Sequence, residues 1–192
     1  ADASELFLAS LDYRRRTQGD RHPHTLMLAN NLAAAYLELG RLDEAEALLR
    51  DVVAGRIEVL GEHHADTTMS MHNLGATLAQ AGRLDEAETW LRRTVELRDA
   101  IKGLEGMALG SRCQLADVLR EQGRLNEAET LYEETHAAQD ALFGRDSAGA
   151  LGTATGLAET WRLQGRPAAA EAAMADVLPK MVTVQGEDHP KT

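Results

Sequence analysis

The stretch GRLDEAEALLR at residues 40–50 recurs along the chain and decides the fold. It returns as GRLDEAETWLR at residues 82–92, as GRLNEAETLYE at residues 123–133 and, in a degraded copy, as GRPAAAEAAMA at residues 165–175. The glycines that open the four copies are 42, 41 and 42 residues apart. A fixed period in this range is typical of proteins in which similar units stack on one another.

Each repeat is predicted to form two antiparallel helices. In the first repeat Leu28, Leu32 and Tyr36 recur at helical spacing, and Gly40 follows where a glycine can end a helix in the left-handed conformation. Pro179 is expected to kink or end the last helix early, because proline interrupts the helical hydrogen bonds. The first helices are predicted at Pro23–Leu39, Asp66–Ala81, Met107–Gln122 and Ala148–Gln164, and the second helices are predicted to end near Val59, Ile101, Leu142 and Val184.

The second helices are predicted to begin with capping boxes, in which an Asp or Asn accepts amide protons of the first turn and a following Glu bonds back. The boxes are Asp43-x-x-Glu46, Asp85-x-x-Glu88 and Asn126-x-x-Glu129. A small residue within each copy should mark where the two helices of a pair come close: Ala45, Ala87, Ala128 and Ala170.

We interpret the chain as a single repeat domain at residues 1–192. Within it, residues 1–18 align with a second helix that has no first-helix partner, four complete repeats cover residues 19–60, 61–102, 103–143 and 144–185, and residues 186–192 begin a truncated fifth repeat.

Three histidines hold the same place in the turn before a first helix: His22, His64 and His189. His24 and His63 lie beside two of them and invite a metal interpretation. A zinc site, however, needs converging ligands and further residues that orient them. We therefore expect turn residues that bond local backbone, and no metal site.

These repeats resemble the tetratricopeptide repeat, through Leu32, Ala33, Tyr36, Gly40 and Ala45 in the first copy and their equivalents in the others. The 42-residue period and the G-x-x-H-P-x-T turn are similar to the kinesin light chain type. The resemblance implies an all-α fold, a right-handed α-solenoid of about nine helices, whose first helices line a concave groove. It also implies a non-catalytic scaffold that binds a peptide or partner segment in that groove. On the period alone, HEAT or armadillo helices remain an alternative, whereas helical periodicity excludes WD40 blades.

The groove positions of that family, carried over to this sequence, give the candidate partner-binding residues. Met27 and Met69 would offer apolar surface, and Asn30 could read a peptide backbone because its amide both donates and accepts hydrogen bonds. The full set is Met27, Asn30, Leu37 and Glu38 in the first repeat, Met69, His72 and Gln80 in the second, Cys113, Asp117, Arg120 and Glu121 in the third, and Thr155, Glu159 and Arg162 in the fourth.

Two arginines of this set could form a clamp for an acidic partner. Arg120 and Arg162 are 42 residues apart and should stack in adjacent repeats, where guanidinium groups can bind a carboxylate. The alternative is that Asp117, Glu121 and Glu159 neutralise the two arginines within the protein, because such exposed pairs are common.

Composition narrows the possible functions. The formal net charge of −11 disfavours non-specific binding to nucleic acid or to an anionic membrane. The single cysteine, Cys113, excludes an intrachain disulfide framework. No nucleophile or phosphate-binding motif is present, so we predict neither an enzyme nor a cofactor. No signal peptide and no apolar run of about 18 residues is visible, and we expect a cytoplasmic protein.

A second function stays open at this point. The chain could serve as a structural or regulatory sensor arm of a larger protein, or as a repeat array that assembles with itself. Self-association would use the two terminal edges of the repeat array, because those edges lack polar capping repeats.

Overall fold

The computed structural model describes residues 3–185, and side chains are described for residues 6–183. All regular structure in this range is helical, which confirms the all-α class. The described helices are α1 (Ala3–Gln18), α2 (Pro23–Glu38), α3 (Leu42–Leu60), α4 (Ala65–Gln80), α5 (Leu84–Asp99), α6 (Glu105–Glu121), α7 (Leu125–Phe143), α8 (Ala148–Leu163) and α9 (Pro167–Gln185).

The helices group into two compact units. Unit 1 comprises the described residues through Leu104, with α1 to α5, and unit 2 comprises those from Glu105, with α6 to α9. Within each unit every helix packs against the next one along the chain. The first helices also meet each other, α2 with α4 in unit 1 and α6 with α8 in unit 2. The repeat boundaries given above stay a prediction.

The glycine that opens each quoted stretch ends a first helix, as predicted. Gly40 has a φ of 71°, a conformation that L side chains rarely adopt. Its amide donates to Leu37 O at 3.0 Å, and the amide of Arg41 donates to Tyr36 O at 2.8 Å. This pair of hydrogen bonds is the Schellman motif, which satisfies carbonyls at the end of α2.

The predicted capping boxes are wrong. Helix α3 begins at Leu42, so its N-cap is Arg41, whose side chain makes no capping hydrogen bond. Asp43 therefore lies inside the first turn and not at the cap. The cause is the turn at Gly40: only Arg41 separates that glycine from the next helix. Arg41 instead pairs with Glu44, with 2.8 Å between Nη2 and Oε1. Equivalent N-caps without a side-chain capping bond occur at Arg83 and Arg124.

Two of the three glutamates assigned to these boxes, Glu46 and Glu129, instead join neighbouring repeats within a unit. In unit 1, Glu46 on α3 accepts from Nη1 of Arg83, which follows α4, at 2.5 and 2.6 Å. In unit 2, Glu129 on α7 accepts from Arg166, which follows α8, at 2.6 Å. Glu129 also accepts from the indole Nε1 of Trp161 at 2.6 Å. We call these two glutamates, with their donors, the Glu46 staple and the Glu129 staple.

The small residues of the motif lie in the core, as predicted. Ala45, Ala87 and Ala128 are fully buried. The residue four positions after the buried alanine, on the same helix face, differs between the units. Leu91 of unit 1 is replaced by Tyr132 in unit 2. A Cβ at Gly156 would lie 2.7 Å from the ring of Tyr132, so the larger ring fits only against a glycine.

Of the two outcomes expected at Pro179, an early end of the last helix is wrong, and a kink stays a prediction. Helix α9 continues through the proline to Gln185. Val177 and Met181 lie on either side of Pro179 and pack into a buried cluster with Leu151 of α8. This apolar contact compensates for the hydrogen bond that proline cannot donate.

Candidate partner-binding faces on the first helices

Unit 1 presents a stripe of side chains on each of its two first helices. Residues spaced by four, three and four positions lie on one side of a helix, and in α2 all four of them are exposed. The same positions recur 42 residues later in α4, where three are half-buried and the last is exposed. We call this set the unit-1 face: Met27, Asn31, Ala34 and Glu38 on α2, and Met69, Asn73, Ala76 and Gln80 on α4.

A buried polar network holds the two helices of this face side by side. Ser70 on α4 donates to Oδ1 of Asn30 on α2 at 3.0 Å, and Nδ2 of Asn73 donates to the same oxygen at 3.3 Å. Arg56 on α3 donates to Ser70 Oγ at 2.7 Å from behind. Asn30 is only 4% exposed, and its carbonyl oxygen serves the packing of α2 against α4.

The asparagines that reach the surface of this face are therefore Asn31 and Asn73, which sequence reasoning missed. Asn31 is exposed and Asn73 is half-buried. The error was one residue of helical register, which rotates a side chain by about 100°. A signal was available, because Asn31 recurs as Asn73 after 42 residues whereas Asn30 does not recur as an asparagine.

Two other sequence-predicted residues of unit 1 lie away from open solvent. Leu37 is half-buried and packs against the core cluster around Leu32 and Tyr36. His72 is half-buried, and its pKa is lowered to about 4, first by burial and then by the charge of Arg98. At neutral pH its imidazole is uncharged.

Unit 2 carries different side chains at the same repeat positions. We call this set the unit-2 face: Gly110, Gln114, Asp117 and Glu121 on α6, and Gly152, Gly156, Glu159 and Leu163 on α8. Both methionines of the unit-1 face have become glycines, and both alanines have become acids. The unit-2 face therefore offers less apolar side chain and more negative charge.

The two arginines of the predicted clamp are already paired with acids on their own helices. Arg120 Nη2 lies 3.0 Å from Asp117 Oδ1, and Arg120 Nη1 donates to the hydroxyl of Tyr132 at 3.1 Å. That hydroxyl in turn donates to Asp117 at 2.5 Å. Arg162 binds Glu159 through two hydrogen bonds of 2.5 and 2.9 Å. A partner carboxylate would have to displace these internal acids.

Cys113 and Thr155 are tied to neighbouring groups in unit 2. The thiol of Cys113 lies 2.9 Å from the hydroxyl of Thr153, which donates to Gln139 at 2.7 Å. Burial is the main cause that raises the pKa of the Cys113 thiol. The hydroxyl of Thr155 donates to Leu151 O of its own helix at 2.9 Å. The Cys113–Thr153 contact repeats the Asn30–Ser70 contact of unit 1, and it joins α6 to α8.

The histidines of the repeat turns bond local backbone, as predicted. Nδ1 of His22 accepts from the amide of His24 at 3.2 Å, and Nδ1 of His64 accepts from the amide of Asp66 at 3.1 Å. His189 lies outside the described residues. Among residues 3–185, no group of three or more His, Cys, Asp or Glu side chains is placed to hold a metal. Of the described helices, none has the length and apolarity that crossing a bilayer requires.

Several solved proteins have a fold similar to that of this chain. A protein of Podosopora anserina, assigned as a kinesin light chain with nearly identical TPR-like repeats, is 25% identical over 96% of this chain and 88% of its own, with a TM-score of 0.79. BtubC (BKLC) from P. vanneervenii is 19% identical over 98% of this chain and 75% of its own, with a TM-score of 0.80. PlcR of Bacillus thuringiensis, solved with the peptide PapR7 and DNA, is 12% identical over 95% of this chain and 66% of its own, with a TM-score of 0.74.

At their low identity, the last two structures show a shared fold alone. Curated proteins gave no significant match to the sequence. The family model of the tetratricopeptide repeat, in contrast, matches residues 1–58, 27–100 and 107–180, which together make up most of the chain. On the repeated sequence, the paired helices and this match, the chain belongs to the tetratricopeptide repeat family.

Proposed function

We propose that the unit-1 face binds an extended segment of a partner protein. The observation that carries the proposal is the exposed stripe of α2, repeated residue for residue in α4 except for Glu38 and Gln80. Met27 is 49% exposed although methionine is among the residues most often buried. Tetratricopeptide repeat proteins generally act as non-catalytic protein–protein interaction scaffolds, and this surface fits that role.

Each type of side chain on the face has a separate task in this proposal. Met27 and Met69 are flexible and polarisable, so they can adapt to an apolar partner side chain. The amides of Asn31 and Asn73 can donate to and accept from the backbone of an extended segment, which has no internal partners of its own. Ala34 and Ala76 are small enough to let that backbone come close to the helices.

The solved complex of PlcR supports a peptide as the occupant. PlcR shares the fold and was solved with the peptide PapR7. The same structure contains DNA, but the net charge of −11 in the present chain argues against a nucleic-acid partner.

A peptide array with single substitutions tests the proposal. Peptides that bind the protein should bind about tenfold less tightly to Asn31→Ala, because hydrogen bonds to a peptide backbone contribute about 1 kcal/mol each. Met27→Ala should also weaken the binding of these peptides. Asn126→Ala and Met107→Ala are matched controls, because they remove the same side chains from unit 2. Equal loss of binding in the controls and in the unit-1 variants would contradict a site on this face.

Self-association is a second candidate function, and it rests on α1. Leu6 is 63% exposed and Tyr13 is 70% exposed. At the equivalent positions of α3, Leu48 packs against the core cluster with α2, and Gly55 lies under Leu26. The uncovered apolar surface of α1 could take a second copy. A molar mass from light scattering that does not rise with concentration would eliminate this candidate.

A further inference from the structure

Glu38 is an exposed carboxylate in an unfavourable place. It is the last residue of α2, and no basic residue lies in the last turn of that helix. The carboxyl end of a helix carries partial negative charge, so an acid there is repelled rather than stabilised. Glu38 forms neither a hydrogen bond nor an ion pair with any other residue that the structure describes.

Other glutamates of unit 1 are in a different situation. Hydrogen bonds from arginine side chains are the first cause that lowers the pKa values of Glu44, Glu62 and Glu86. Glu38 has no such partner although arginines are frequent in the unit. The equivalent acid of unit 2, Glu121, ends a helix whose last turn does contain an arginine.

Glu38 lies on the same side of α2 as Met27, the apolar residue at the other end of the stripe. Met27 and Glu38 are 11 residues apart, which places them on one side of α2 and about 16 Å apart along its axis. Asn31 and Ala34 lie between them. An extended segment covers that length with about five residues.

We propose that the partner segment bound by the unit-1 face carries a lysine or arginine that pairs with Glu38. Along the segment, this basic residue lies about five residues from the apolar side chain that contacts Met27. The inference rests on the proposed function of this face. Its physical basis is charge complementarity: Glu38 is the one charged side chain of the face, and it lacks an internal cation. Gln80 holds the equivalent place in α4 without charge, so the selection for a basic residue belongs to α2.

This partner is the opposite of the one that the arginine clamp would select. Arg120 and Arg162 already bind Asp117 and Glu159, so their charge is largely neutralised within unit 2. An acidic segment on the unit-1 face would meet Glu38 with no nearby cation of the face to offset it. A basic segment would remove the repulsion between Glu38 and the carbonyl end of α2.

Three peptide series test the proposal with the purified 192-residue chain. Each peptide is extended and neutral apart from one position, with a leucine followed five residues later by lysine, glutamine or glutamate. At low ionic strength the lysine series should bind about two- to fivefold tighter than the glutamine series, as for an exposed ion pair, and the glutamate series should bind weakest. The preference should fade at high salt because exposed charges are screened.

Variants of Glu38 assign the effect to one side chain. Glu38→Gln should make the lysine and glutamine series bind equally, and Glu38→Lys should reverse the order so that glutamate binds best. Glu121→Gln is the matched control, because it makes the same change at the same repeat position in unit 2, and it should leave the preference intact.

The outcomes separate this inference from the function on which it rests. If peptides bind and Asn31→Ala weakens them, but lysine is not preferred or the preference survives Glu38→Gln, the basic partner is wrong and the peptide-binding face stands. If no series binds, or Asn31→Ala has no effect on binding, the face itself is wrong and the inference is lost with it.

Discussion

Units 1 and 2 share one plan of helix packing and differ in what they show to solvent. Both bury alanine at the start of the second helix, and both join first helices through a side-chain contact, Asn30–Ser70 in unit 1 and Cys113–Thr153 in unit 2. On the exposed stripes, however, methionine and alanine in unit 1 become glycine and acid in unit 2. The repeat motif therefore specifies stacking, and the positions outside it are free to specify a partner.

The largest expected difference between the units is in their response to acid. The pKa of His72 in the folded chain is lowered to about 4, below its ordinary value of 6.5. Between these values the unfolded chain binds a proton that the folded chain does not, so stability is complete above pH 6.5 and falls as the pH drops toward 4. The equivalent residues of unit 2, Cys113 and Thr155, gain no charge in this window.

Urea unfolding of the wild type and of His72→Asn at pH 7 and pH 5 measures this loss. The free energy of unfolding of the wild type should fall by about 2 kcal/mol more than that of the variant. His24→Gln removes an exposed histidine and serves as the control, which should behave as the wild type does. Parallel losses in all three proteins would mean that protonation of His72 does not oppose folding.

The next effect separates two glycines of α8. Gly156→Ala should cost about 2 kcal/mol, because its Cβ would stand 2.7 Å from the buried ring of Tyr132. Gly152 is one turn earlier, and no side chain or other helix lies within 4 Å of where its Cβ would be. Gly152→Ala should therefore stabilise the helix by about 1 kcal/mol. Thermal unfolding checks both changes, and equal signs for the two would contradict the fit of the Tyr132 ring against α8.

The glutamate staples offer a smaller contrast between the units. The hydrogen bond from Gln164 is the main cause that lowers the pKa of Glu129, and Arg166 and Trp161 also donate to its carboxylate. Glu129→Ala leaves the half-buried indole without its acceptor, so we expect a loss of about 1 to 2 kcal/mol.

The same change in unit 1 should cost less. After Glu46→Ala, both Arg50 and Arg83 keep Glu86 as a partner, so less than about 1 kcal/mol should be lost. Denaturant midpoints of the two variants, measured at one pH, give the comparison. A larger loss for Glu46→Ala would show that the guanidinium pairs outweigh the indole hydrogen bond.

The sequence predicted the features that recur at the repeat interval. The helix-ending glycines, the buried alanines and the histidines that bond local backbone all appear in at least two copies, and the structure confirms each of them. Recurrence identifies them because a stacked repeat must solve the same packing problem each time.

Other features depended on register or on contacts between repeats, and sequence reasoning missed these. One residue of helical rotation separates Asn30, which is buried, from Asn31, which is exposed. The start of α3 two residues earlier than predicted likewise moved Asp43 from the cap into the helix. The Glu46 staple joins residues 37 positions apart, and nothing local to either residue indicates which neighbour the side chain will meet.

The smallest expected effect on stability comes from moving the methionines of one face onto the other. Gly110→Met and Gly152→Met should each stabilise unit 2 by about 0.5 to 1 kcal/mol, because both glycines lie within helices and have open space beside them.

A peptide with a leucine anchor should then bind unit 2 only weakly, since Asp117 and Glu159 remain where unit 1 has alanines. The further changes Asp117→Ala and Glu159→Ala would remove the acids that pair with Arg120 and Arg162. With the four changes combined, the leucine peptide whose variable position is glutamate should bind unit 2 better than its lysine counterpart, the reverse of unit 1. Fluorescence anisotropy with the unit-1 site removed by Met27→Ala and Asn31→Ala isolates this binding. A lysine preference there would mean that Glu121, and not the two arginines, decides which segment binds unit 2.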